Sequence, residues 1–331
     1  MARRICSLMV LALLASAAAG AGSPIDADWQ ANAKIDNLRV VSDERLGAAQ
    51  GVSYRNARLY FYGDVGAVTP RAGIIREYTL DLKPSGRNIC LARHGKPLIL
   101  HPTGLTWDAH YGCFLGDTVH KVATIYQLDW DRALADGNLD AAVRAEIRDD
   151  AATNGCRPEF VTVQGRQFLA TADYGDMRPA VRLYDPRRLL EARCSTAPGV
   201  CVATIPCDPF NQNLFWDATT GELTCIENVV AGLGWKLDVF DLQAALASGN
   251  LGKALHRTLV FQPHSELEGW LRQPDGREVF VTSSPRKNIA VGKSRPLPSF
   301  STPAGTREFS DQRTREFETR PARSASPASL P

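Results

Sequence analysis

Five positions along the chain put a polar side chain at the entrance to a short run of strand-forming residues: Gln50, His101 or Thr103, Glu159, Gln212 and Glu268. A second set, Asp64, Asp117, Asp173, Asn228 and Ser284, closes the run that follows each of them. Such side chains are the oxygen donors that a hard cation such as Ca2+ accepts, and two carboxylates brought together can also move protons. The candidate metal ligands are therefore Gln50, Glu159, Gln212, Glu268, Asp117 and Asn228. The candidate acid–base residues are Glu159, Glu268, His101 and His120, because a histidine beside a carboxylate can activate water. Each has a plainer reading too. A glutamate at a strand entrance can cap backbone amides, Gly-Asp and Ala-Asp pairs are frequent turn formers, and single histidines often lie on loops.

These residues recur because the segments carrying them recur. Residues 101–117 read HPTGLTWDAHYGCFLGD, two apolar runs around a polar turn, which is a β-hairpin signature. Taking Gly51, Gly104, Phe160, Asn213 and Gly269 as equivalent gives steps of 53, 56, 53 and 56 residues, a period that suits the four-stranded blade of a β-propeller. Third strands are expected at 74–82, 123–130, 180–185, 235–242 and 288–291, and fourth strands at 96–100, 200–205 and 257–261. Short helices are expected where DWDRALADGNL and DLQAALASGNL repeat, near Asp129 and Asp241, with a shortened version after Asp185. The last repeat lacks a fourth strand, while 36–41 is a lone strand-like run ahead of the first. Pairing the two would close the ring and remove an exposed edge. The expectation is an all-β, five-bladed propeller over 36–292; a six-bladed ring would need a further blade beyond 293. In an antiparallel blade the start of strand one and the end of strand two share an end, so both residue sets should ring one mouth of the central channel.

The flanks differ from the repeats. Residues 1–22 combine Arg3-Arg4, an apolar core and a run of small residues, the pattern of a secretory signal peptide. Ordinary secretion suits these residues better than twin-arginine export, so a secreted or periplasmic protein is expected. Residues 293–331 are rich in Pro, Ser, Thr and Arg with scarcely any aliphatic side chains, and are expected to be a disordered tail. No stretch after the leader approaches a membrane span. A net charge of +2 gives no reason to invoke nucleic acid. Seven cysteines follow the leader, and secretion makes disulfides available; Cys194–Cys201 is the preferred bridge and Cys156–Cys207 a second possibility, with Cys113 and Cys225 read as buried small hydrophobes. Trp107, Trp216, Trp235 and Trp270 are expected to pack between blades. There is no phosphate-binding glycine loop, Gly-x-Ser-x-Gly, Cys-x-x-Cys or HExxH motif.

The repeat resembles the calcium-dependent propeller hydrolases of the gluconolactonase, senescence-marker-protein and paraoxonase type. Glu268-Gly269 resembles their Glu-Gly opening, and Pro102-Thr103-Gly104-Leu105 their Pro-Asn-Gly element. This chain has Thr103 where the family has Asn, Gln50 at the opening of the first blade where it has Glu, and five blades where it has six. The resemblance implies a propeller and, with it, metal-assisted hydrolysis of a lactone, ester or sugar derivative. The competing expectation is a non-catalytic propeller that binds a small molecule or an extracytoplasmic protein through its loops. Convergence of Gln50, Glu159, Gln212 and Glu268 on one ion-sized point would favour the enzyme.

Overall fold

Alternating apolar residues and tight turns fold each repeat as its pattern requires. In the first, Ala48–Arg55 and Arg58–Asp64 are joined by Asn56 and Ala57, both at positive φ, 49° and 57°. That two-residue geometry matches the right-handed twist of the strands it connects. Gln164 and Gly165 repeat it between Glu159–Val163 and Arg166–Ala172. The computed structural model describes residues 31–64, 71–119, 122–152, 154–175, 177–262 and 265–297.

The strands form five antiparallel four-stranded sheets. Blade I is Ala48–Arg55, Arg58–Asp64, Ile74–Thr79 and Pro84–Cys90. Blade II is Pro102–Asp108, Gly112–Val119, Val122–Leu128 and Val143–Arg148. Blade III is Glu159–Val163, Arg166–Ala172, Ala180–Tyr184 and Cys201–Pro206. Blade IV is Asn211–Asp217, Glu222–Val230, Leu233–Asp241 and Leu255–Phe261. Blade V takes Leu267–Arg272, Glu278–Thr282 and Ile289–Pro296 from the end of the propeller sequence and Ala33–Val41 from its start. The expected closure is thus present: Ala33 pairs with Pro296 and Val41 with Ile289.

Five hydrophobic cores hold the ring, one between each pair of neighbouring blades. Tyr62, Leu105, Leu115 and Trp130 lie between I and II; Phe114, Phe160 and Tyr184 between II and III; Val161, Leu214 and Phe240 between III and IV. Trp235, Trp270 and Phe280 fill the IV/V core, and Leu46, Phe61, Leu271 and Val281 the V/I core. The tryptophans pack as expected, with Trp107 edge-on to Trp130 and Trp270 edge-on to Phe215. The repeated Asp-led segments form helices Trp130–Asp136, Pro186–Ala192 and Leu242–Ser248. In each, the aspartate before the helix accepts a first-turn backbone N–H, satisfying a donor that has no partner within the helix.

Three expectations need correction. The outer strand of blade I is Pro84–Cys90, not 96–100; its polar, solvent-facing sequence hides its strand character, and only Ile89 anchors it to the core. Residues 96–97 instead pair with Ala92–Arg93 in a small hairpin. The last strand runs to Pro296, beyond the expected limit at 292. Neither expected disulfide is formed, and all seven cysteines are free thiols. Cys194 contacts Asp150 and Thr196, Cys201 contacts Thr204, and Cys156 is buried against the Thr124 carbonyl. The proposed leader and most of the proposed tail lie outside the described residues.

Candidate functional site

A β-bulge at the start of the inner strand shapes the channel mouth in four blades. Ladder pairing steps from Ala49 to Gly51 in blade I, from Pro102 to Leu105 in II, from Asn211 to Asn213 in IV and from Leu267 to Gly269 in V. The extra residues are Gln50, Thr103-Gly104, Gln212 and Glu268. A bulge leaves a residue out of the ladder and re-aims its side chain, which turns Gln50, Gln212 and Glu268 toward the mouth. The glycine after the bulge lets the inner strands meet: a Cβ on Gly269 would lie 2.7 Å from the Gly51 Cα.

Blade III has no bulge. Glu159 pairs regularly with Ala170, and its carboxyl interacts with the Thr106 hydroxyl and the Trp216 backbone N–H, deeper in the channel. Arg157, two residues earlier, takes the place at the mouth. The result is a cavity of about 590 Å³ lined by Gln50 from blade I, His101 and Thr118 from II, Asn154, Arg157 and Tyr174 from III, Gln212 from IV, and Glu266, Glu268 and Ser283 from V.

Its chemical centre is a pair of carboxyl groups. Glu268 is 3% exposed, and Glu266, two residues earlier, lines the same cavity. Burial raises the Glu268 carboxyl well above the usual carboxylate range; the charge of Glu266 adds to this, and Arg157 opposes it. Glu266 is held by two amides, with Gln212 Nε2 donating at 2.6 Å and Asn228 Nδ2 at 3.2 Å. Asn228 Oδ1 accepts the Leu267 N–H at 2.9 Å, fixing the same corner from the other side. Facing the pair, His101 Nδ1 lies 3.2 Å from Asp64 Oδ2, both partly exposed.

The structure thus brings Gln50, Gln212, Glu268 and His101 to one cavity, with Asn228 directly behind it. Asp117 is buried beneath and accepts the His101 backbone N–H at 3.0 Å; burial pushes its carboxyl up to about 6 against that bond. It lies within the second strand of blade II and caps the backbone at the entrance to the first. Glu159 stands apart, surrounded by protein although it keeps some contact with the channel, and desolvation pushes it up to about 8. His120 lies outside the described residues. Glu266 and Arg157 were missed in the sequence. The available signal for Glu266 was its i, i+2 spacing to Glu268; none marked Arg157.

These oxygens do not suit a calcium ion. The Gln212 oxygen faces the Arg157 guanidinium at 3.5 Å, the Asn228 oxygen is committed to Leu267, and Glu159 is too deep. Among the described residues, the one group of three acidic, histidine or cysteine ligand atoms at metal spacing is Asp208, Glu227 and Asp238 in blade IV. Its centre holds the Lys236 ammonium, 2.5, 2.6 and 2.8 Å from the three carboxylates. Burial disfavours the lysine charge, but Glu227, Asp238 and Asp208 outweigh it and raise its pKa.

Five closed blades around a polar mouth make this chain a five-bladed β-propeller. No family model matches it, and no curated protein is similar to it in sequence. Among solved structures it is similar to the hydrazine synthase of Kuenenia stuttgartiensis, with a TM-score of 0.40 and 14% identity over 75% of this chain and 59% of that one. It is also similar to an engineered GH43 glycoside hydrolase with endo-xylanase and exo-arabinofuranosidase activity, with a TM-score of 0.46 and 11% identity over 81% and 53%. The periplasmic gluconolactonase of Pseudomonas aeruginosa gives a TM-score of 0.35 and 15% identity over 70% and 64%. The chain spans less than two thirds of each of these, and the likeness passes on no chemistry. The expected propeller is present, and no match shows the expected kinship with calcium-dependent hydrolases. Among the described residues no helix is long and apolar enough to cross a membrane.

Proposed function

We propose that the mouth is the active site of an extracytoplasmic hydrolase acting on an acyl bond, a lactone or ester of a small polar molecule, by general acid–base chemistry on Glu266 and Glu268. The observation that carries this is the pair of glutamates, two residues apart, that line one polar cavity. Burial favours the protonated form of Glu268. Neighbouring carboxyls that share a proton split into an acid and a base at one pH. Glu266, oriented by Gln212 and Asn228, removes a proton from water as the water oxygen attacks the acyl carbon. Glu268 gives its proton to the carbonyl oxygen. Collapse of the tetrahedral intermediate breaks the C–O bond, the proton held by Glu266 passes to the leaving alkoxide, and the hydroxyl proton returns to Glu268.

No step is assigned to a metal, because the mouth oxygens are engaged with one another. The signal-like residues 1–22 support an extracytoplasmic location. The test is hydrolysis of a panel of sugar lactones and short-chain esters. Glu268→Gln and Glu266→Gln should each lower kcat/KM by about 100-fold or more with an unchanged melting temperature. Tight ligand binding without turnover would instead make the chain a binding propeller.

A further inference from the structure

Arg157 is 3% exposed and, among the described residues, forms no ion pair with any carboxylate. A guanidinium has five N–H donors. Three are used on neutral oxygens: Nη1 on the Asn154 carbonyl at 3.0 Å, and Nε and Nη2 on the Gln212 carbonyl and amide oxygens at 3.4 and 3.5 Å. Among the described residues, one N–H on each terminal nitrogen has no acceptor, and the side chain lines the mouth cavity with its guanidinium over the Tyr174 ring at 5.5 Å. A second unsatisfied group stands beside it. The Thr118 Oγ1 is buried without a hydrogen-bond partner among the described residues, and Thr118 lines the same cavity. Gly155, at φ 91°, makes room for both, since a Cβ there would lie 2.3 Å from Thr118 Oγ1 and 2.7 Å from Arg157 Nη1.

We infer that Arg157 and Thr118 form an anion subsite that takes the carboxylate of a hydroxylated acid, so that the ligand of the mouth is a sugar acid or its derivative. This rests on the hydrolase reading for the adjoining carboxyl pair and adds the ligand class. A buried guanidinium with free donors on both terminal nitrogens matches the two oxygens of a carboxylate. The remaining walls, Gln50, Asn154 and Ser283, offer amides and a hydroxyl to sugar hydroxyls. Glu266 and Glu268 line the same mouth, and Asp64 stands beside His101. A phosphate, with nearly two charges, is repelled there more strongly than a singly charged carboxylate.

The test is calorimetry of the full chain at pH 7 with sodium glucuronate, glucose and glucose 6-phosphate. Glucuronate should bind at least tenfold more tightly than either of the others. Arg157→Gln should abolish the preference, and Thr118→Val should weaken glucuronate several-fold while leaving glucose unchanged. If Arg157→Gln fails to melt cooperatively, the wild-type ratio and Thr118→Val decide. Equal or tighter binding of glucose, or no glucuronate binding at millimolar concentration, overturns the inference. Glu268→Gln separates the two readings. Retained glucuronate binding with lost hydrolysis supports both, whereas Glu268-dependent hydrolysis of neutral lactones without glucuronate binding leaves the hydrolase and removes the subsite.

Discussion

A few buried side chains in this propeller are held in protonation states that water would not allow, and each has a measurable consequence. Glu159 has its carboxyl pushed up to about 8 by desolvation. Its folded-state pKa therefore lies above its unfolded value of about 4.3, and the native state binds the proton more tightly. The stability it contributes is present below the unfolded value and is lost as pH rises from about 4.5 to about 8. Glu159→Gln should remove that loss, raising stability at pH 8.5 by a few kcal/mol while changing little at pH 5. Urea melts at the two pH values measure the difference. The sequence showed Glu268 through its repeated place before Gly269, but could not show that blade III lacks the bulge. One ladder irregularity decides whether Glu159 or Arg157 faces the mouth, and nothing in the spacing of 53 and 56 residues reports it.

At the scale of elements, two polar clusters brace the blades. Asp43, just ahead of blade I, receives Arg76 and Tyr78 from its third strand, and exchanges bonds of 2.9 Å in both directions with Asn288 of blade V. All four are buried. Asp43→Ala leaves the Arg76 charge without its partner and should cost about 3–5 kcal/mol, read as a lower urea midpoint with an unchanged slope. In blade IV, Lys236 is a tethered cation among three carboxylates. Lys236→Met should lower the melting temperature, more at pH 8 than at pH 5, because carboxylates without a counter-charge then have to ionise. Calcium should restore part of that loss in the variant and leave the wild type unmoved, as thermal melts with calcium or EDTA would show. Strands and helices were largely legible because apolar alternation and Asp-led caps are local signals. The outer strand Pro84–Cys90 was not, because an exposed edge does not need an apolar pattern.

For the whole molecule, the ring closes only when Ala33–Val41 completes blade V. Its removal would bare Ile289–Pro296 as an unpaired edge. A chain beginning at residue 42 should lose its single cooperative melt and self-associate in a concentration-dependent way, visible by light scattering. Closure also gathers residues more than 200 positions apart, such as Gln50 and Glu268, around one cavity. This is why the fold could be read from the repeat, while the membership of the site depended on bulges and on loops outside the repeat, where Arg157 and Glu266 lie. The central claim is that Glu266 and Glu268 work as an acid–base pair, and the most direct measurement is the pH dependence of kcat/KM for a sugar lactone in the wild type and in Glu268→Gln. The account predicts a bell-shaped profile whose maximum requires one proton on the pair, with the alkaline limb abolished and the rate lowered about 100-fold in the variant. A flat profile, or a variant as active as the wild type, would contradict it.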